Sequence, residues 1–366
     1  MIDQDFLKKE NGKVWKFYLQ PSETWEAMLG DCKRAKKSID CEQYIFEGDE
    51  IGERFIEVFI KKLTDGVRVR LLCDAVGSYG FMGSPLVKRF ISAGGQAVFY
   101  NPISPWRLKN ASSLFLRDHR KILVIDSNIG FTGGMAVSSR MKLWRDTDVR
   151  IEGEVARAMD DSFETMWQIA LKQEFSSFKN GAETVGDFQV LSNSPRYRQR
   201  YIYHALLRAI RFSKKYIYLT TPYFVPSFRL SRALIRAAKR GVEVKILLPF
   251  LSDVPIVDVA AGSYFSHLLK KGVKIYRYRD AILHSKTMAV DDTIATVGSA
   301  NLDNLSLLFN YEMNIFSTER EFVGEIKEQF LEDIKRAEEI VFEEWLERPF
   351  ILKLKEFLVR PIRGWL

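Results

Sequence analysis

One pattern occurs twice in this chain, and the repetition constrains its fold more than any other feature. His119-Arg120-Lys121 is followed, after four apolar residues, by Asp126; His284-Ser285-Lys286 is followed, after four residues, by Asp291. Each H-x-K-x4-D copy then meets a small-residue pair, Gly133-Gly134 in one and Gly298-Ser299 in the other. Two of the four histidines sit in these copies. A histidine with a cation two residues on, present twice, describes one site built from two halves and suited to a phosphate.

The repeat extends outward from the motifs. KKSIDCEQYIF (36–46) and GVRVRLLCD (66–74) return as KKYIYLTTPYF (214–224) and GVEVKILLPF (241–250). A period this long means a duplicated domain rather than a solenoid. Residues 51–63 and 230–238 have helical periodicity, while 67–72 and 242–248 read as strands after a glycine break. The short apolar runs 121–125 and 286–290 read as strands, with each motif histidine at the strand's mouth. Helices alternating with strands predict layered α/β halves. The boundaries expected are 1–190 for the first half, 191–345 for the second, and 346–366 for a basic C-terminal segment.

A chain of 366 residues with 46% hydrophobic content has enough apolar mass for a full core. Its net charge of +8 favours an acidic partner, either nucleic acid or an anionic membrane. Cys32, Cys41 and Cys73 show neither disulfide nor zinc spacing, which fits a reducing compartment. The N-terminal residues lack the apolar core of a signal peptide, and no run of about eighteen apolar residues predicts a membrane span.

The motif chemistry follows from residue type. One imidazole can attack phosphorus while a second protonates the leaving group. Lys121 and Lys286 point the same way as the histidines two residues before them, because side chains alternate along a strand, and so can hold the non-bridging oxygens. Asn301 and Ser299 are further candidates for phosphate contact. Each imidazole also needs a partner for its other nitrogen. Asp146, 27 residues after His119, and Glu312, 28 after His284, occupy matching places in the two halves. Asp126 and Asp291 lie a whole strand beyond their histidines and read as strand-end anchors. No metal or cofactor is called for.

With these residues in view, the chain resembles the phospholipase D superfamily, whose paired motifs assemble one site at a pseudo-two-fold axis. Within it the chain is most similar to the bacterial cardiolipin synthases, through WRDTDVRIEG (144–153), TPYFVP (221–226), LHSKTMAVDD (283–292) and VGSANLDNLSLLFNYEMN (297–314). The resemblance implies two α-β-α sandwich halves related by pseudo-two-fold symmetry and a catalytic set that includes both complete motifs, Asp126 and Asp291 among them. It implies transfer of a phosphatidyl group, commonly from phosphatidylglycerol, through a phosphatidyl-histidine to a second lipid headgroup, giving cardiolipin and glycerol. It assigns the nucleophile to His119 and the acid, then base, to His284; near symmetry leaves the reverse order open. Ala136 stands where the family usually has asparagine, and Asp148 where histidine is common. The alternatives are a hydrolase or nuclease with the same dyad and, ranked last, a non-catalytic membrane-binding relative.

The expected partners are anionic phospholipid and the membrane surface, with no nucleic acid. The expected location is the cytoplasmic side of the bacterial inner membrane, held peripherally. Residues 348–366 place Phe350, Leu354, Phe357, Leu358 and Trp365 among Arg348, Lys353, Lys355, Arg360 and Arg363, the pattern of an interfacial helix; the alternative is that the segment packs on the body. Phe81, Met82, Trp106 and Leu108 are candidates to line a lipid entrance, or else to fill an ordinary buried loop.

Overall fold

A computed structural model describes residues 13–103, 116–172 and 181–365. Among these, the first half forms a seven-stranded sheet ordered β1-β7-β6-β5-β2-β3-β4. Its strands are β1 (Trp15–Tyr18), β2 (Ser38–Gln43), β3 (Arg68–Asp74), β4 (Gln96–Tyr100), β5 (Lys121–Ile125), β6 (Ile129–Gly133) and β7 (Asp148–Glu152). The second half repeats the order as β9-β18-β16-β15-β11-β13-β14 within a larger sheet. These strands are β9 (Phe188–Ser194), β11 (Tyr216–Thr220), β13 (Glu243–Pro249), β14 (Lys274–Tyr278), β15 (Thr287–Val290), β16 (Ile294–Gly298) and β18 (Glu312–Ser317). Short strands β8 (Ala182–Val185), β10 (Gln199–Arg200) and β19 (Ala337–Glu339) extend its edges, and β12 (Phe224–Val225) pairs with β17 (Leu302–Asp303) apart from it. In each half three neighbouring strands run parallel and the motif hairpin, β5–β6 or β15–β16, is antiparallel.

Helices cover both sheets. α1 (Pro21–Arg34), α2 (Glu50–Thr64) and α3 (Pro85–Ser92) pack outside the first sheet, and α4 (Glu154–Ala170) packs on its inner face. α5 (Tyr201–Phe212), α6 (Phe228–Lys239) and α7 (Pro255–Leu269) pack outside the second, where a short α8 (Asn304–Phe309) also contributes Leu307. α9 (Arg320–Ile334) packs on the inner face. The motif strands show why they are apolar throughout. On β5, Leu123 and Ile125 enter the outer core while Ile122 and Val124 enter a core shared by the two halves. On β15, Met288 and Val290 face outward and Ala289 inward. Period-two alternation with both faces covered requires apolar residues at every position.

That shared core joins Val149, Ile151, Val155 and Met159 of the first half to Val297, Met313, Ile315 and Phe322 of the second. Arg145 adds a buried two-point ion pair to Asp333 on α9, with contacts of 2.9 and 2.6 Å. The halves are therefore one packed body.

Three expectations need correction. The boundary at 190/191 cuts through β9, which pairs with β18 and belongs to the second sheet; the sheets divide between α4 and β8. The boundary at 345/346 falls inside α10 (Phe342–Glu347), and the tail proper is α11 (Phe350–Val359). Phe81 lines no entrance: it is fully buried in the first-half core against Phe46 and Phe99. Met82 is half-buried, while Trp106 and Leu108 lie outside the described residues.

Candidate active site

His119 stands two residues before β5 and His284 three residues before β15, where these strands open toward the junction of the halves. Its backbone is pinned by the opposite half. His119 N–H donates to Tyr311 O at 3.0 Å, and His284 N–H donates to Arg145 O at 2.7 Å. Tyr311 and Arg145 each immediately precede a buried carboxylate, so this bridging delivers that carboxylate across the interface. His119 Nδ1 lies 2.9 Å from Glu312 Oε1, and His284 Nδ1 lies 2.8 Å from Asp146 Oδ2. Both carboxylates are fully buried. The carboxylate that sits 27 or 28 residues downstream in one half thus serves the histidine of the other. With Nδ1–H given to a carboxylate, each Nε2 is left to face the site.

The carboxylates are themselves held. Glu312 accepts hydrogen bonds from the Ser299 and Ser306 hydroxyls, and Asp146 accepts one from Thr147 N–H at 2.8 Å. Ser299 was a candidate for phosphate contact, and the structure corrects this: its oxygen is committed to Glu312 and to Met313 N–H. A buried carboxylate without such donors would be costly. In the first half Gly134 takes the place of Ser299, because a Cβ there would lie 2.3 Å from Asp146 Oδ1.

Lys121 Nζ reaches the His119 carbonyl at 2.8 Å and approaches His119 Nε2 at 3.3 Å; Lys286 Nζ reaches the His284 carbonyl at 2.6 Å. Burial pushes the ammonium pKa of Lys121 down to about 8 and that of Lys286 to about 7. Burial also lowers both histidines, reinforced by the two lysines and opposed by Glu312 or Asp146. Asp146 is pushed up by burial, but the His284 and Lys286 charges prevail and hold it below the usual carboxylate range. An entering phosphodiester would supply the anion these cations lack.

Asn301 lies beside this cluster, buried, with an Oδ1 that has no hydrogen-bond partner among the described residues. Its backbone N–H is held by Ser306 Oγ. Asp148 and Asn314 play one role in the two halves: their Oδ1 atoms accept Met135 N–H and Ala300 N–H, each at 3.1 Å, fixing the turns after β6 and β16. Asp148 is therefore a turn-fixing group, with its carboxyl pushed up by burial and by Asp146.

Asp126 and Asp291 do not reach the site, which corrects their inclusion in a catalytic set. Asp126 accepts the backbone N–H groups of Lys36, Lys37 and Ser38, and Asp291 those of Lys214, Lys215 and Tyr216. A strand of roughly 16 Å separates each from its lysine-bearing end. Both adopt a left-handed backbone, φ 53° and 55°, in the turn of the motif hairpin, a conformation aspartate tolerates better than most residues.

Three further residues border the imidazoles. The Tyr44 ring centroid is 4.8 Å from that of His119; Trp144 and Tyr223 lie 5.2 and 6.4 Å from His284. The repeat offered a signal for the tyrosines, since QYIF and PYF end the matched segments. It offered none for Trp144, or for Ser306, which has no counterpart in the first motif.

Comparison with known proteins agrees with the duplication. The family model for a cardiolipin synthase, phospholipase D-like domain matches residues 28–167 and 206–334, once per half. Cardiolipin synthase 1 of Bacillus cereus is 34% identical over 93% of this chain and 70% of its own length. Cardiolipin synthase 1 of Staphylococcus epidermidis is 32% identical over 99% of this chain and 76% of its own. Among solved structures, the phosphatidylserine synthase of Haemophilus influenzae superposes with a TM-score of 0.75 at 14% identity, covering 96% of this chain and 95% of that one; at that identity the likeness is one of fold.

Proposed function

From the premise that this chain belongs to the cardiolipin synthase family of phospholipase D-like proteins, we propose how its site performs phosphatidyl transfer. The protein is a phosphatidyltransferase that makes cardiolipin. The carrying observation is the crossed pair His119–Glu312 and His284–Asp146, with a buried lysine beside each.

His119 Nε2 attacks the phosphorus of a donor phospholipid such as phosphatidylglycerol. The bond from phosphorus to the headgroup oxygen breaks, and that oxygen takes the proton on His284 Nε2, releasing glycerol. Phosphatidyl-His119 remains. The hydroxyl of a second phosphatidylglycerol then gives its proton to His284 Nε2 and attacks phosphorus, and His119 leaves. Lys121 and Lys286 bind the non-bridging oxygens through both steps, joined by the amide of Asn301, with their positive charge fixed in a dry site. Glu312 and Asp146 hold each ring with Nε2 forward and stabilise the imidazolium when it forms. Tyr44, Trp144 and Tyr223 shield the phosphohistidine from water, which favours an alcohol acceptor over hydrolysis.

Access to lipid is peripheral on this reading. No helix among the described residues is long and apolar enough to cross a membrane. α11 is amphipathic with its apolar side outward: Phe350, Ile351, Phe357 and Leu358 are exposed, while Glu356 is buried in an ion pair with Arg348 and Val359 packs with Val225 and Ala260. With Lys353, Lys355 and Arg360 beside the stripe, this is the composition of a helix lying in an anionic interface.

The test is to incubate purified protein with phosphatidylglycerol vesicles and follow lipid products by mass spectrometry. Cardiolipin with glycerol is expected. Phosphatidic acid alone would replace transfer by hydrolysis, and cleavage of single-stranded DNA without lipid turnover would overturn the lipid reading.

A further inference from the structure

The positive charge of this chain is concentrated in one stretch. From residue 188 to residue 242 there are twelve lysines and arginines and no aspartate or glutamate. The remaining residues carry 43 basic and 47 acidic side chains, so the whole net charge of +8 originates there. The fold gathers half of these cations on one face. α5 and α6 lie side by side outside the second sheet, tied at their N-terminal ends by a 2.8 Å hydrogen bond between the Tyr203 and Ser227 hydroxyls. Their buried sides carry Ile202, Leu206 and Ile210, and Leu230, Leu234 and Ala237. Their solvent sides carry Arg208 and Arg211, and Arg229, Arg232, Arg236 and Lys239, all exposed. Among the described residues none of these six has an ion-pair partner. Phe212 and Phe228 stand on the same helices, 72% and 77% exposed.

An ordinary solvated helix face mixes both signs and gains from i,i+4 pairs. Here like charges repeat at i+3 and i+4, an arrangement that disfavours the isolated helix and is relieved when counter-charge lies against it. We propose that the α5–α6 face is an electrostatic docking surface for an anionic phospholipid bilayer, with Phe212 and Phe228 entering the headgroup layer. The inference rests on the phosphatidyltransferase reading and adds a second contact to it. Its occupant follows from continuity. α7, which carries the apolar helix α11, covers the same outer side of the second sheet as α5 and α6, so the cationic face and the apolar stripe lie on one side of that sheet. A bilayer is the occupant whose chemistry suits both the cationic face and the apolar stripe, whereas a nucleic acid would leave the α11 stripe in water. Each cation at an anionic surface contributes through screened attraction, so this contact should be salt-sensitive and that of α11 much less so.

The experiment compares wild type with R229Q/R232Q/R236Q, three exposed side chains with no hydrogen-bond or ion-pair partner among the described residues. Vesicle co-sedimentation is measured on phosphatidylglycerol-containing and pure phosphatidylcholine vesicles, and turnover on detergent-dispersed phosphatidylglycerol. The triple variant should lose about 100-fold in affinity for the anionic vesicles at low salt, with the difference shrinking at high salt and turnover of dispersed lipid unchanged. Vesicle affinity within twofold of wild type would overturn the proposal. So would a loss confined to a single-stranded DNA oligonucleotide. Failure of wild type to turn over dispersed lipid would instead refute the catalytic reading and leave the vesicle comparison standing.

Discussion

At the scale of single residues, the orienting carboxylates separate tautomer control from charge. Glu312→Gln and Asp146→Asn keep shape and burial but remove the negative charge and turn one of the two acceptor oxygens into a donor NH2, so the tautomer with Nδ1–H is no longer enforced. Each should lower kcat by about 10²- to 10⁴-fold with the circular dichroism spectrum unchanged, measured on dispersed phosphatidylglycerol. The lysines set a pH limit whose sign is definite. Both are depressed, to about 8 for Lys121 and about 7 for Lys286, so the free site loses its cations as pH rises through that range. kcat/KM should therefore fall on the alkaline side, starting near neutrality. Lys286→Arg should move that limb upward, because guanidinium stays charged; a pH profile of kcat/KM for the two proteins checks this.

At the scale of elements, the motif hairpins and α11 invite opposite tests. Asp126 and Asp291 close each hairpin against the start of β2 or β11 by accepting three backbone N–H groups apiece. Asp126→Ala should cost about 1–3 kcal/mol in stability through those unsatisfied donors and change kcat far less than the histidine substitutions do. A urea titration paired with single-turnover kinetics separates the two effects. In α11 the ion pair and Val359 face the body, so Phe357→Ser with Leu358→Ser should leave stability unchanged. The double variant should weaken vesicle binding by about 10-fold or more through lost apolar insertion, with the loss persisting at high salt.

At the scale of the whole molecule, the crossed pairing joins the two halves into one site, which the proposed mechanism uses as a single catalytic unit. His119→Ala and His284→Ala should each abolish transfer, and the double variant should be no worse than either single one, since members of one unit are not additive. The interface also carries a structural obligation. Asp333→Ala would leave Arg145 buried and unpaired beside Asp146, and should destabilise the protein by about 3–5 kcal/mol, read as a shift in the denaturation midpoint.

The sequence alone determined the duplication, the α/β layering, the motif strands and the identity of both histidines, both lysines and both orienting carboxylates. These were legible because they are periodic or repeated: apolar runs on β5 and β15 and nearly equal spacings, 27 residues from His119 to Asp146 and 28 from His284 to Glu312, survive in one dimension. Tertiary structure decided which carboxylate serves which histidine, since backbone bridges at Tyr311 and Arg145 exchange them across the interface. It decided that Ser299 supports Glu312 instead of phosphate, and that Phe81 fills a core. It also brought the arginines of α5 and α6 onto one face beside the layer that bears α11. Such facts depend on contacts between residues far apart in the chain, and a linear spacing carries no record of which distant group fills a buried hydrogen bond.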